Sequence, residues 1–148
     1  MAIYFADTSA IIKRYVQEPG TAWIRNLADP ETGHFFYVAR ITDVEITAAL
    51  ARSRTGGAGP DQASTALAQF RKDLAQDYRV LEISVSVLQR ASLLANAHGL
   101  CAYEAVQLSA ALVIHSLEPE VILVSADPAL NAAAAAEGLS VEDPNNHP

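Results

Sequence analysis

Apolar positions along the chain fall into short runs and helical stripes that alternate from one end to the other. Within Ala2 to Ile12 (AIYFADTSAII), the strand-forming run Ile3, Tyr4 and Phe5 stops at Asp7-Thr8-Ser9. An apolar helical pattern then begins at Ala10, with Ile11, Ile12, Tyr15 and Val16 at helical spacing. Glu18-Pro19-Gly20 ends that helix, and a second short one is predicted from Thr21 to about Ala28, stopped by Asp29-Pro30. His34 to Ala39 (HFFYVA) reads as a strand, and Thr42-Asp43-Val44-Glu45 opens a helix to about Arg54. Gly56, Gly57, Gly59 and Pro60 break the chain before a long helix with Ala63, Leu67, Phe70 and Leu74 on one face.

The second half repeats the alternation. Tyr78 to Ile83 is a third predicted strand, and Val85 to about Ala97 a helix closed by His98-Gly99, a C-cap signal. From Ala102 to about His115 apolar residues cover nearly every side, the mark of a buried helix. Val121 to Val124 (VILV) is a continuous apolar strand, Ser125-Ala126-Asp127-Pro128 starts a short alanine-rich helix, and Leu139 to Val141 is an edge strand. Strands that alternate with helices need long crossovers between parallel neighbours, so the expected fold is α/β, a three-layer α/β/α sandwich with a mostly parallel sheet. No repeat or linker divides residues 1–148, which read as a single domain with a frayed tail at 142–148.

Composition narrows the function classes. At 51% apolar and 18% charged residues the chain is globular, and no apolar run reaches the roughly 18 residues of a membrane span. Without a basic leader, and with the lone Cys101 unable to form an internal disulfide, it is expected to be soluble and cytoplasmic, with no membrane partner. All ten Lys and Arg lie between Lys13 and Arg90, and the ten acids from Asp7 to Glu82 cancel them; the seven acids after Arg90 carry the whole net charge of −7. Non-specific nucleic-acid grip needs a basic excess, so any such partner would be held by a local patch. Lys13, Arg14, Arg40, Arg52 and Arg54 are the candidates for such nucleic-acid contacts, against the simpler alternative of solvated surface charges.

Four acids stand at predicted helix starts: Asp7, Glu45, Glu104 and Asp127. Helix capping explains such positions one at a time: Thr42 with Glu45 forms a capping box, and Asp127 precedes Pro128 at a first helical position. Glu104 is different, because it lies in the first turn of the buried helix and no base follows Arg90 to pair with it locally. If the four converge, two carboxylates about 4 Å apart repel by roughly 4 kcal/mol at an effective dielectric near 20. A helix terminus returns only about 0.3–1 kcal/mol each. A cation would be needed, and an all-oxygen donor set indicates Mg²⁺ or Mn²⁺.

D-T-S-A after the first strand, T-x-V-E-I-x-x-A-L at Thr42 to Leu50, A-Y-E-A-V-Q-L at Ala102 to Leu108 and S-A-D-P-x-L at Ser125 to Leu130 resemble the ordered motifs of PIN-domain ribonucleases. The resemblance is to the VapC-type toxins of bacterial toxin–antitoxin pairs and runs from about Ile3 to Val141, the segment IIKRYVQEPG included. It implies a Mg²⁺- or Mn²⁺-dependent endoribonuclease that hydrolyses RNA phosphodiesters with metal-activated water. Asp7, Glu45, Glu104 and Asp127 would surround the metal at the carboxyl edge of the sheet, with Thr8 and Ser125 as hydroxyl ligands or supporting partners. It also implies a homodimer and a cognate antitoxin protein that covers the groove and tethers the complex to operator DNA. RNA specificity is expected in the stretch from Ser53 to Gln62 and the helices beside it. One departure matters: the family usually carries Asp where this chain has Glu104, a side chain longer by about 1.5 Å.

Other chemistries fit less well. A dehalogenase-type phosphatase needs a second Asp where Ser9 stands, and a phosphoacceptor receiver needs a late Lys, whereas none follows Lys72. Cys101 as a nucleophile has His98 nearby but nothing to orient the imidazole. The remaining alternative is a PIN-like module that has lost turnover and binds a basic partner peptide, with Glu104 as the symptom.

Overall fold

Five short strands form one sheet in which every neighbouring pair is parallel: β1 (Ile3–Ala6), β2 (Phe35–Ala39), β3 (Tyr78–Leu81), β4 (Ile122–Val124) and β5 (Ser140–Glu142). The computed structural model describes residues 1–55 and 59–148, with the side chains of Arg54 and Thr55 outside that description. Strand order is β3-β2-β1-β4-β5, with Phe5 in register with Tyr37 on one side and Leu123 on the other. The order reverses between β1 and β4. That is a topological switch point, where the loops leaving two adjacent strands run to opposite faces and open a crevice at their carboxyl ends.

Side chains of β1 alternate between two cores, as a strand covered on both faces requires. Phe5 and Leu123 pack under α5 (Val85–His98), α6 (Ala102–Leu117) and α7 (Pro128–Ala136). Tyr4, Ala6 and Val124 face α1 (Thr8–Ile11), α2 (Thr21–Leu27), α3 (Ile41–Thr55) and α4 (Pro60–Gln76), where Ile11, Ile46 and Phe70 are fully buried. The expected α/β/α sandwich is the observed one. The all-round apolar α6 lies inside it, buried from Ala105 through Leu112, and its small residues Ala105, Ala110 and Ala111 give it close neighbours on α5 and the sheet.

Three local expectations change. The first helix starts at Thr8 rather than Ala10, capped by Asp7, and tightens to a 3₁₀ turn at Ile12–Arg14. The Thr42–Glu45 capping box does not form, because α3 already begins at Ile41 and the fully buried Thr42 hydroxyl is bonded inward. The tail from Glu142 does not fray. It enters β5, makes a 3₁₀ turn at Pro144–Asn146 and packs on α2, with Pro144 buried and the His147 ring stacked on Trp23 at 4.2 Å and 5°. Gly20 makes this docking possible: its φ is +89°, and a Cβ there would lie 2.5 Å from the Pro144 carbonyl oxygen. The contacts that hold the tail come from far away in sequence, so its own polar composition gave no sign of them. The predicted breakers Gly56 and Gly57 lie outside the described residues.

Candidate functional site

The crevice between β1 and β4 is built by two adjoining hydrogen-bond networks. In the first, β1 ends at Ala6 and Asp7 turns outward while its N–H still reaches the Val124 carbonyl of β4 at 3.0 Å. Its Oδ2 accepts from the Ser9 amide at 3.1 Å and the Ser9 hydroxyl at 2.6 Å, an N-cap that closes the first turn of α1. Ser9 Oγ in turn accepts from the Ala126 amide at 3.0 Å, which ties the loop after β1 to the loop after β4. Ser125, fully buried, accepts from the Asp127 amide at 3.1 Å and so shapes that second loop.

Asp7 is only 6% exposed. Burial pushes its carboxyl up to about 6, the nearby Glu45 charge adds to the rise, and the Ser9 hydrogen bonds partly oppose it. Glu45 is half-buried, and desolvation raises its carboxyl against the donors Gln107 and Thr8. Two desolvated carboxylates in one crevice, Asp7 raised further by the charge of Glu45, are the pattern of a site poised to take a positive charge.

The second network joins α1, α3 and α6. Thr8 Oγ1 lies 3.2 Å from Thr42 Oγ1 and 3.1 Å from Glu45 Oε1. Gln107 Nε2 reaches Thr8 Oγ1 at 3.2 Å, Thr42 Oγ1 at 3.0 Å and Glu45 Oε1 at 2.8 Å. Asp7 and Glu45 are thus brought together, and Thr8 and Ser125 lie beside them.

Glu104 and Asp127 make other bonds. The Cys101 thiol donates to Glu104 Oε1 at 2.7 Å, while Glu104 Oε2 is buried with no partner. Asp127 Oδ1 caps α7, accepting from the Ala129 and Leu130 amides at 2.9 and 3.2 Å. Among the described residues no group of three or more His, Cys, Asp or Glu side chains stands ready to hold a metal. The donor chemistry nevertheless fits a hard divalent cation: Asp7 is desolvated among oxygen donors, and Glu104 holds a buried carboxylate oxygen that nothing satisfies. For all four acids to meet one ion, Glu104 and Asp127 would have to turn away from their present bonds.

The basic candidates are distributed differently from expectation. Lys13 is 5% exposed and paired with Glu18 at 3.0 Å, and Arg14 sits against Asp73 at 3.3 Å and the Tyr78 hydroxyl at 2.7 Å. Both are paired within the fold instead of forming a free basic surface. Arg40 is exposed in a bidentate pair with Glu82, Arg52 is exposed on α3, and the Arg54 side chain lies outside the described residues. A separate groove of about 640 Å³ runs between α2, α3 and α4. Tyr15, Val16, Leu50 and Ala66 line it with the polar Arg14, Arg25 and Gln62, the last belonging to the stretch expected to carry specificity.

The sequence motifs assign Gln107 and Ser9 no part in the site, and Thr42 only that of a capping-box partner. Gln107 had one available signal: it is the only long polar side chain between Ala105 and Ile114, in a helix apolar on every side.

No family model and no curated protein matches this chain. Solved structures do. A chain of the VapBC2 complex from Rickettsia felis, bound to a DNA fragment from its promoter, superposes with a TM-score of 0.65 at 15% identity over 95% of this chain and 98% of that one. A Pyrobaculum aerophilum protein gives 0.68 at 19% identity over 99% and 92%. VapBC-1 from nontypeable Haemophilus influenzae gives 0.61 at 16% over 96% and 98%. At these identities what is shared is the fold, which is PIN-like.

Proposed function

We propose that this chain is a Mg²⁺- or Mn²⁺-dependent endoribonuclease acting as the toxin of a toxin–antitoxin pair. The observation that carries the reading is Asp7: a carboxylate buried at the switch point of a parallel sheet, raised by its own burial and by Glu45, and met by Ser9 donors. The likeness to VapBC complexes over nearly the whole of both chains supports the toxin role. A divalent cation in this crevice supplies charge stabilisation to a phosphodiester and a nucleophilic water at neutral pH. The chain's own residues prepare the place for it. Ser9 fixes the Asp7 rotamer and Thr8 and Gln107 hold Glu45, while Ser125 shapes the loop that carries Asp127.

The groove between α2, α3 and α4, lined by Tyr15, Val16, Leu50 and Ala66 together with Arg14, Arg25 and Asp61, suits a segment of the antitoxin, through which operator DNA would be reached. Homodimerisation would have the exposed Val85, Leu88 and Leu93 of α5 to use. The Cys101–Glu104 bond favours a second reading, a PIN-like module without turnover that binds a basic partner peptide in the acidic crevice.

Thermal unfolding with MgCl₂ or MnCl₂ separates the two, because an ion that binds only the folded state raises the melting temperature. At a hundredfold excess over Kd the gain is about 2.7 kcal/mol. A metal-dependent rise together with cleavage of structured RNA that EDTA abolishes is the expected result. No rise and no cleavage would leave the binding module.

A further inference from the structure

We infer that Gln107 is the positioning residue of this site, the side chain that fixes the mutual placement of Glu45 and Thr8 beside Asp7; the inference rests on the nuclease reading above. Gln107 is fully buried in α6, and its single amide nitrogen faces three oxygens on two other helices, Thr8 Oγ1 of α1 and Thr42 Oγ1 and Glu45 Oε1 of α3. An amide carries two N–H groups, so three acceptors within 3.2 Å mean that at least one N–H is shared. The orientation follows from charge: the opposite one would set the amide oxygen against the Glu45 carboxylate.

That orientation leaves Gln107 Oε1 buried without a partner. A buried, unsatisfied carbonyl costs stability, and a leucine would avoid the cost in a helix whose neighbours are Ala105, Val106, Leu108 and Ala111. Packing alone therefore gives no reason for an amide here. Its donors do give one. Thr8 has a single hydroxyl proton; accepting from Gln107 leaves that proton for Glu45 or Thr42, which fixes the Glu45 rotamer from two sides. Glu45 lies one turn into α3, and Thr8 adjoins Asp7, so the amide of α6 sets the spacing between the loop after β1 and the helix after β2. Groups that orient ligands in this way are worth tenfold to a hundredfold in metal affinity or activity.

The test compares Gln107→Leu, which keeps the bulk and loses the donors, with Gln107→His, which keeps a donor. Expected for Gln107→Leu is a Mn²⁺ dissociation constant at least about tenfold higher, read by calorimetry, and a kcat on RNA lower by about ten- to hundredfold. KM for RNA should stay within about twofold, and Gln107→His should restore most of both losses. The inference is overturned if Gln107→Leu binds Mn²⁺ and cleaves RNA like the wild type, or if both variants lose these properties equally. Should the leucine variant not fold, the histidine variant decides: near-wild-type Mn²⁺ affinity supports the role and its loss overturns it. If the wild type itself neither binds Mn²⁺ nor cuts RNA, the nuclease reading has failed, and positioning is then judged on the metal-free protein. There, displaced Glu45 Cδ and Thr8 Cβ resonances in the Gln107→Leu variant support it, and unchanged ones overturn it.

Discussion

Burial outweighs the hydrogen bonds that the Ser9 and Thr8 donors give the Asp7 carboxylate. Its carboxyl lies at about 6 in the folded protein against an ordinary 3.8, so the folded state binds this proton more tightly than the unfolded chain does. The Asp7 contribution to stability is therefore most favourable below about pH 4, falls as pH rises through 6, and stays low above it. The shift corresponds to about 3 kcal/mol. In EDTA, urea unfolding of Asp7→Asn is expected to show a higher midpoint than the wild type at pH 7 and to lose that advantage towards pH 4. The same variant should show no Mn²⁺-induced rise in melting temperature and no cleavage, so a gain in stability would accompany the loss of function. Glu104→Asp is expected to keep or raise metal-dependent cleavage, because the shorter side chain leaves the Cys101 thiol; a cleavage rate that falls tenfold or more would count against Glu104 as a ligand. The four acids were visible in sequence because each follows an apolar run and opens a helix. Which of them face one another was not, since Cys101 and the α7 amides compete for Glu104 and Asp127 at distances that spacing alone does not encode.

At the scale of elements, the strand–helix alternation was legible because each strand is a short apolar block and each crossover carries its own stop signal. The buried character of α6 could be read for the same reason, as its apolar residues leave no polar face. Helix starts were less legible. Thr42 and Glu45 have capping-box spacing, yet tertiary partners on α1 and α6 take both side chains and the helix begins a residue earlier. The docking of the tail is not legible in sequence, because its partners Gly20 and Trp23 lie at the other end of the chain. Gly20→Ala tests that contact. A Cβ 2.5 Å from the Pro144 carbonyl, on a residue with φ +89°, should cost about 1–3 kcal/mol, read as a lower urea midpoint, and a midpoint within error of the wild type would deny the close approach.

The whole molecule divides its charge and its work in the same way. Bases are confined to Lys13 through Arg90, and Arg14 and Arg25, which line the groove between α2, α3 and α4, belong to that stretch. Acids dominate after Arg90, where Glu104 lies in the first turn of α6 and Asp127 caps α7 after β4. An anionic substrate is repelled by the acidic crevice unless a cation is bound there, and a local arginine patch must overcome the net charge of −7 to retain RNA. That asymmetry could be read from the sequence; the groove could not, because it exists only where elements from distant parts of the chain meet.

The tail offers an optical readout of the molecule. Trp23 is the only tryptophan of the chain, and its indole lies flat against the His147 imidazole. The same tail, through the Glu142 carbonyl, accepts from the Ser125 amide at the mouth of the crevice. Intrinsic fluorescence at that one indole therefore reports whether residues 142–148 are seated, and a change in emission on adding Mn²⁺ or a partner protein would register strain passed from the crevice loop to α2 without any label.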